Sequence, residues 1–191
     1  MSAWARVQEW IASSPMRVDV LAPERGEETL RKLEISTDST LGAVALETGG
    51  VLVDGGFMRL LGGGSEQLPS IAEWAGLGDA PLVEPVDRGL CVAFDAVGGF
   101  LVLLAQTSRV HSFLPDTLDW QDTGLGYSQF VHWALHGDLD DFYGDLRGLD
   151  WQGLPPDRGL SIHERAGTTR SMTELWALYP GGKLRELLEA R

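Results

Sequence analysis

The sequence predicts an α+β fold in which a mostly antiparallel central sheet, a meander, carries helices packed on it. Three observations predict it. Leu90–Phe94, Phe100–Ala105 and Arg109–Leu114 are apolar runs of strand length, joined by Asp95–Gly99 and Gln106–Ser108. Those links are too short for the crossovers that parallel strands need, so the pairing is antiparallel. An Asp54-Gly55 turn sits between the apolar segments Val51–Val53 and Gly56–Leu61, the pattern of a hairpin. Finally, Tyr127, Phe130, Val131 and Ala134 fall at i, i+3, i+4 and i+7, which marks a helix over Tyr127–His136.

The remaining elements follow in order. Residues 4–11 place Trp4, Val7, Trp10 and Ile11 on one helical stripe, ended by Ser13-Ser14-Pro15. Met16–Leu21 alternates Val18 and Val20 with Arg17 and Asp19, which suits a strand. Glu24–Leu33 reads as a surface helix with Leu30 and Leu33 inward. Ser39 or Thr40 caps a helix over Leu41, Val44 and Ala45, with Gly49-Gly50 at its end. Gly62-Gly63-Gly64-Ser65 reads as a flexible loop, and Pro69 opens a short helix, Ser70–Ala75, with Trp74 inward. Thr117–Gln121 adds a fourth strand to the central three. Gly137 stops the long helix, and Asp138 caps a following one that carries Leu139, Phe142, Tyr143 and Leu146. After Trp151 the pattern loosens. Ser171 with Glu174 forms a capping box for a helix through Leu178, and Lys183–Arg191 reads as a terminal helix. These signals predict one domain over 1–191, with a core of about 1–151 and a C-terminal helical extension of about 152–191.

Composition narrows the function. The 191 residues carry a formal charge of −13, and the pI is near 4.6. Such a surface repels phosphate backbones and anionic membranes. With only Lys32 and Lys183 as lysines and the arginines scattered, no basic patch offers a nucleic-acid site. The N-terminus lacks the apolar region of a signal peptide, and no run reaches the length of a membrane span. The expected compartment is the cytoplasm. Cys91 lies among Leu90, Val92, Ala93 and Phe94, so it reads as a buried small hydrophobe rather than a nucleophile.

No constellation points firmly to catalysis or to a cofactor. His132 and His136 are spaced to share a helix face, the arrangement that serves zinc, with Asp138 and Asp140 as oxygen donors nearby. No Glu follows His132, so the metalloprotease pattern fails, and a solvated polar face is the plainer account. Asp138-Leu139-Asp140-Asp141 onward to Asp145 lacks the Gly and Glu of a calcium loop; its apolar spacing says helix, with a negative face suited to a basic partner. Gly62-Gly63-Gly64 lacks the Lys-Ser/Thr of a phosphate loop. Ser128 fails the nucleophile elbow because Phe130 stands where Gly is required. Trp120, set among Asp116, Asp119, Gln121 and Asp122 after a turn, is a candidate interface anchor, or else a cover for the core edge.

Several of these strings also carry a resemblance. Thr40-Leu41-Gly42-Ala43, Glu47-Thr48-Gly49-Gly50, Gly56–Gly62, Gly98-Gly99-Phe100, Pro115–Trp120, Tyr127–Phe130 and Asp141-Phe142-Tyr143 occur in this order over about residues 38–151. Together they resemble the uncharacterised bacterial proteins of domain-of-unknown-function family 2625. That family is similar, more distantly, to the SUKH superfamily, an α+β fold with many immunity proteins that bind and neutralise a toxin. The charge, the missing site and the resemblance together point to a non-catalytic, protein-binding module without a cofactor. Its partner would be a protein, a basic toxin in the immunity reading, and the residues themselves offer Trp120, Asp116, Asp119, Asp138, Asp140 and Asp141 as contacts. The protein itself is expected to be a monomer or homodimer. The alternative is a small-molecule- or metal-binding protein or enzyme built on His132 and His136.

Overall fold

The computed structural model describes residues 1–76 and 89–182. Its centre is a seven-stranded sheet in strict sequence order, every neighbouring pair antiparallel. The strands are β1 (Val18–Leu21), β2 (Gly50–Val53), β3 (Met58–Leu61), β4 (Gly89–Asp95), β5 (Phe100–Leu104), β6 (Arg109–Leu114) and β7 (Asp119–Asp122). The meander predicted for the centre thus extends to both edges. The second strand of the Asp-Gly hairpin begins at Met58, two residues later than the pattern suggested. Asp54 and Gly55 both take positive φ, and Val53 pairs with Met58 across a four-residue turn.

Side chains alternate across the sheet because successive Cβ atoms point to opposite faces. Met58, Leu60 and Leu101 enter one apolar cluster, while Leu61, Phe100 and Val102 enter the other. In β4 a bulge between Cys91 and Ala93 breaks the alternation, so Val92 and Ala93 both join the first cluster. The first face is covered by α1 (Ala3–Ser13), α5 (Tyr127–His136) and α6 (Leu139–Tyr143). The second is covered by α4 (Ile71–Trp74) and α7 (Met172–Leu178), with Leu30 and Leu33 of α2 (Gly26–Leu33) and Ala45 of α3 (Thr40–Glu47) at its margin. The inner strands β2–β5 are buried on both faces, and Arg59 and Asp95 are their only charged residues.

Local signals place the helices well. Ser39 caps α3 through the Gly42 amide, Ser70 and Glu73 form a capping box on α4, and Ser171 and Glu174 form one on α7. Asp138 caps α6 by accepting from the Asp141 amide. Two features depart from the sequence reading, a small sheet after Trp151 and the packing of the Gly62–Gly64 run. The stretch after Trp151 contributes a second, two-stranded sheet, β8 (Arg158–Leu160) and β9 (Thr169–Ser171), before α7. Leu160, Met172, Leu175, Trp176 and Tyr179 from this stretch are buried core residues, so it packs into the body. Gly62, Gly63 and Gly64 are buried, and their backbones bond to Glu24, Arg25, Thr48 and Ile71, so this run is a packed junction rather than a loose loop. The expected terminal helix, 183–191, lies outside the described residues.

One buried polar group sits where β4 turns into β5. Asp95 is 0% exposed, and its Oδ1 accepts from the Val97 and Gly99 amides at 3.0 and 2.8 Å. Gly99 is required there, since a Cβ would meet Asp95 Oδ2 at 2.1 Å. The Tyr143 hydroxyl interacts with the same carboxyl, but neither it nor Oδ2 makes a well-formed hydrogen bond. Burial raises the Asp95 pKa above the ordinary carboxyl value, against the pull of the two amides. The folded state therefore favours the proton, and the stability contributed by this group is greatest below pH 3.8 and falls as pH rises from there. Asp95→Asn keeps the acceptor oxygen and cannot ionise. Its urea midpoint, compared with that of the parent chain, should gain as the pH is raised above 4. A constant offset across that range would show that Asp95 stays ionised in the fold. Asp95→Ala orphans two buried amides and should cost about 1–3 kcal/mol for each.

Candidate functional site

The residues singled out in sequence fall at two separate places. Trp120 lies on edge strand β7, half-buried, with its ring 5.2 Å from Phe113 and 6.4 Å from Trp176. Its indole thus covers the margin of the second apolar cluster. Asp116 and Asp119 are exposed beside it, and each accepts from the next backbone amide, Thr117 and Trp120. Asp138, Asp140 and Asp141 lie instead on α6, whose Leu139 and Tyr143 pack in the first cluster. The sheet therefore stands between the Trp120 indole and the α6 group.

The α6 group is the more highly charged. Asp138, Asp140, Asp141, Asp145 and Asp150 are all exposed, and residues 138–150 contain one basic residue, Arg147. Five aspartates and one arginine give that stretch a net charge of −4. Arg147 is turned inward: it bonds Asp54, donates to Asp140 at 2.8 Å, and lies 4.2 Å from the Phe57 ring centroid and 5.3 Å from that of Trp151. These carboxylates raise its pKa against a desolvation that would lower it. The one cation of this stretch is therefore committed within the fold. Sequence reasoning did not identify Arg147, because its partner Asp54 lies 93 residues earlier, in the turn between β2 and β3.

Next to this acidic turn, α1 and α5 enclose an open groove of about 510 Å³. Its walls are the indoles of Trp10 and Trp133, with Leu125, Ser128, His132 and Gly137 between them. The Trp133 ring lies edge-to-face on Phe142 of α6 at 5.0 Å, and the Trp10 ring meets His132 at 5.3 Å. Gly137 makes room for Trp133, since a Cβ would come within 2.5 Å of that indole. Asp138 follows it directly, so the groove opens onto the acidic turn. Trp133 lay off the helical stripe that predicted α5, and Trp10 read as an inward residue. Neither position carried a local signal for a groove, because the groove exists only where two distant helices meet.

His132 and His136 do share one face of α5, as their spacing predicted. Their rings stack at 4.5 Å with 14° between planes, side by side rather than converging on one point. His136 Nδ1 lies 3.2 Å from the His132 carbonyl oxygen and donates to it, while Nε2 lies 3.1 Å from Ser13 Oγ. Both nitrogens of His136 are thus engaged, Nδ1 within α5 and Nε2 in tying α5 to α1. Among the described residues no group of three or more His, Cys, Asp or Glu side chains is placed to hold a metal ion. Burial pushes the Cys91 thiol far up, which keeps it protonated and unreactive. Among the described residues no helix is long and apolar enough to cross a membrane.

The sequence matches the family described as protein of unknown function DUF2625 over residues 1–163. That span is longer at both ends than the 38–151 over which the motifs were recognised. YbfG of Escherichia coli (strain K12), described as an uncharacterized protein, is 33% identical over 93% of this chain and 90% of its own length. An uncharacterized protein of Haemophilus influenzae (strain Rd) is 30% identical over 86% of this chain and 82% of its own. No solved structure matches the chain.

Proposed function

The chain belongs to the DUF2625 family, and on that footing we propose that it is a non-catalytic binding protein for a basic protein partner, docked on the acidic turn of α6. In its narrower form the partner is a basic toxin, which the chain neutralises as an immunity protein. One observation carries the reading: five exposed aspartates crowd residues 138–150, and their single cation, Arg147, is bound to Asp54 and Asp140. A field left uncompensated inside the molecule attracts an oppositely charged surface, steers its approach and weakens with salt. Rim charges of this kind act on association rate and specificity more than on raw affinity.

The histidine alternative has less support. Stacked rings, with both nitrogens of His136 occupied, form a clamp between helices rather than a pair of ligands.

The test is co-purification from nuclease-treated host lysate and from co-expression with neighbouring toxin genes, with an Asp141→Lys/Asp145→Lys variant alongside. Both positions are exposed, and neither caps a helix nor pairs with Arg147. The expected result is a stoichiometric basic protein, released by raised salt and lost by about tenfold or more from the variant. Retention of no basic protein, or equal retention by both forms, defeats the reading.

A further inference from the structure

We propose that the α1/α5 groove is the anchor pocket of this binding surface: it receives one large apolar side chain from a basic polypeptide segment whose Lys or Arg residues lie over the α6 aspartates. This rests on the acidic-surface reading above and adds to it the chemistry of the bound segment. Protein interfaces place apolar anchors in a central pocket and charge at the rim. Here Trp10 and Trp133 form the walls, Asp138 follows Gly137 at one end, and exposed Glu9 precedes Trp10 at the other.

Both walls are already fixed. Trp133 leans on Phe142, and Trp10 is held by His132 at its edge and by the Arg6 guanidinium 5.6 Å from its centroid. Arg6 is in turn bonded to Thr40, whose hydroxyl donates to Ser128 of the groove at 3.1 Å. Rings that need no ordering lower the entropy cost of receiving a guest.

Two other occupants fit less well. A free small molecule gains most where about 70–90% of its surface is enclosed, and this groove lies open to solvent along its length. A side chain carried on a backbone needs no such enclosure. A second copy of the chain would bring −13 against −13, with the acidic turns repelling across the symmetric contact.

The experiment titrates the full chain with short synthetic helical peptides, read by calorimetry and by backbone amide shifts. One peptide combines Lys with Leu and Trp; one has Lys with Ser; one has Glu with Leu and Trp. Free indole is the fourth probe. The expected result is that the Lys/Leu/Trp peptide binds tightest and shifts the amides of Trp10, His132 and Gly137. His132→Lys, which sets a cation on the exposed groove wall, weakens that peptide about tenfold, whereas Gln67→Lys, the same change of charge at an exposed position beside Leu68 of the second cluster, leaves it within about twofold. If the Lys/Ser peptide binds as tightly, the anchor pocket is refuted and the acidic surface stands. If neither lysine peptide binds, both readings fall. Equal binding of the Glu peptide or of indole, or shifts confined to other parts of the molecule, refutes the pocket as well.

Discussion

Gly63→Ala is expected to lower the unfolding free energy by about 3 kcal/mol, as an overpacking substitution with no flexible neighbour to yield. Gly63 has no positive φ, so the cost is steric alone. A Cβ there would stand 2.4 Å from the Ala45 carbonyl oxygen and 2.6 Å from Gly26 Cα. Both are backbone atoms, one near the end of α3 and the other at the start of α2. The same junction holds bonds from the Gly63 amide to the Thr48 carbonyl, 2.7 Å, and from the Arg25 amide to the Gly63 carbonyl, 3.1 Å. Relief of the clash would stretch them. Gly148→Ala is the control, because a Cβ there meets nothing within 4 Å; it should stay within about 0.5 kcal/mol of the parent chain. Urea unfolding at unchanged slope measures both. Equal midpoints for the two variants would mean that α2 and α3 are not packed through this glycine.

Trp176→Ala is expected to cost about 3–5 kcal/mol, the range for a large aromatic removed from a packed core. Trp176 is 5% exposed and stands 4.9 Å from Phe100, 5.6 Å from Trp74 and 6.4 Å from Trp120, centroid to centroid. It therefore joins α7 to β5, α4 and β7 in one aromatic cluster. Thr173→Ala, on the same helix and only half-buried, loses one hydrogen bond to the Ser171 hydroxyl at 3.0 Å and should cost no more than about 1 kcal/mol. A cost below about 1 kcal/mol for Trp176→Ala would show that α7 rests on the sheet without filling its core. The family match ends at residue 163, before α7 begins. Even so, the relative in Escherichia coli aligns with 93% of the chain, which leaves too little unaligned to omit the segment 164–182.

These two positions also mark how far the sequence could be read. Local patterns determined the local structure. The stripe from Tyr127 to Ala134, the Ser70/Glu73 and Ser171/Glu174 capping boxes and the Asp138 cap each act within a few residues, so α4, α5, α6 and α7 were legible from sequence. Short links such as Gln106–Ser108 allowed only antiparallel pairing within β2–β3 and β4–β7, whereas the long connections between β1 and β2 and between β3 and β4 left those pairings to the tertiary structure. The charge of −13 likewise belongs to the sequence and directs attention to a basic partner.

Tertiary structure decided everything that depends on residues far apart in the chain meeting in space. Gly63 read as a loop because nothing in Gly62-Gly63-Gly64-Ser65 announces that Gly26 and Ala45 press against it. Trp176 read as part of an extension because its partners Phe100 and Trp74 lie 76 and 102 positions earlier. The candidate contact residues read as one set, yet the sheet divides Trp120 from Asp138, Asp140 and Asp141, since alternate faces of a strand bury on opposite sides. Trp10 and Trp133 became a groove only where α1 crossed α5. The physical reason is the range of the interactions. Caps, turns and helical stripes act over three or four residues, whereas burial, steric fit and the pairing of Arg147 with Asp54 are set by the packed layers.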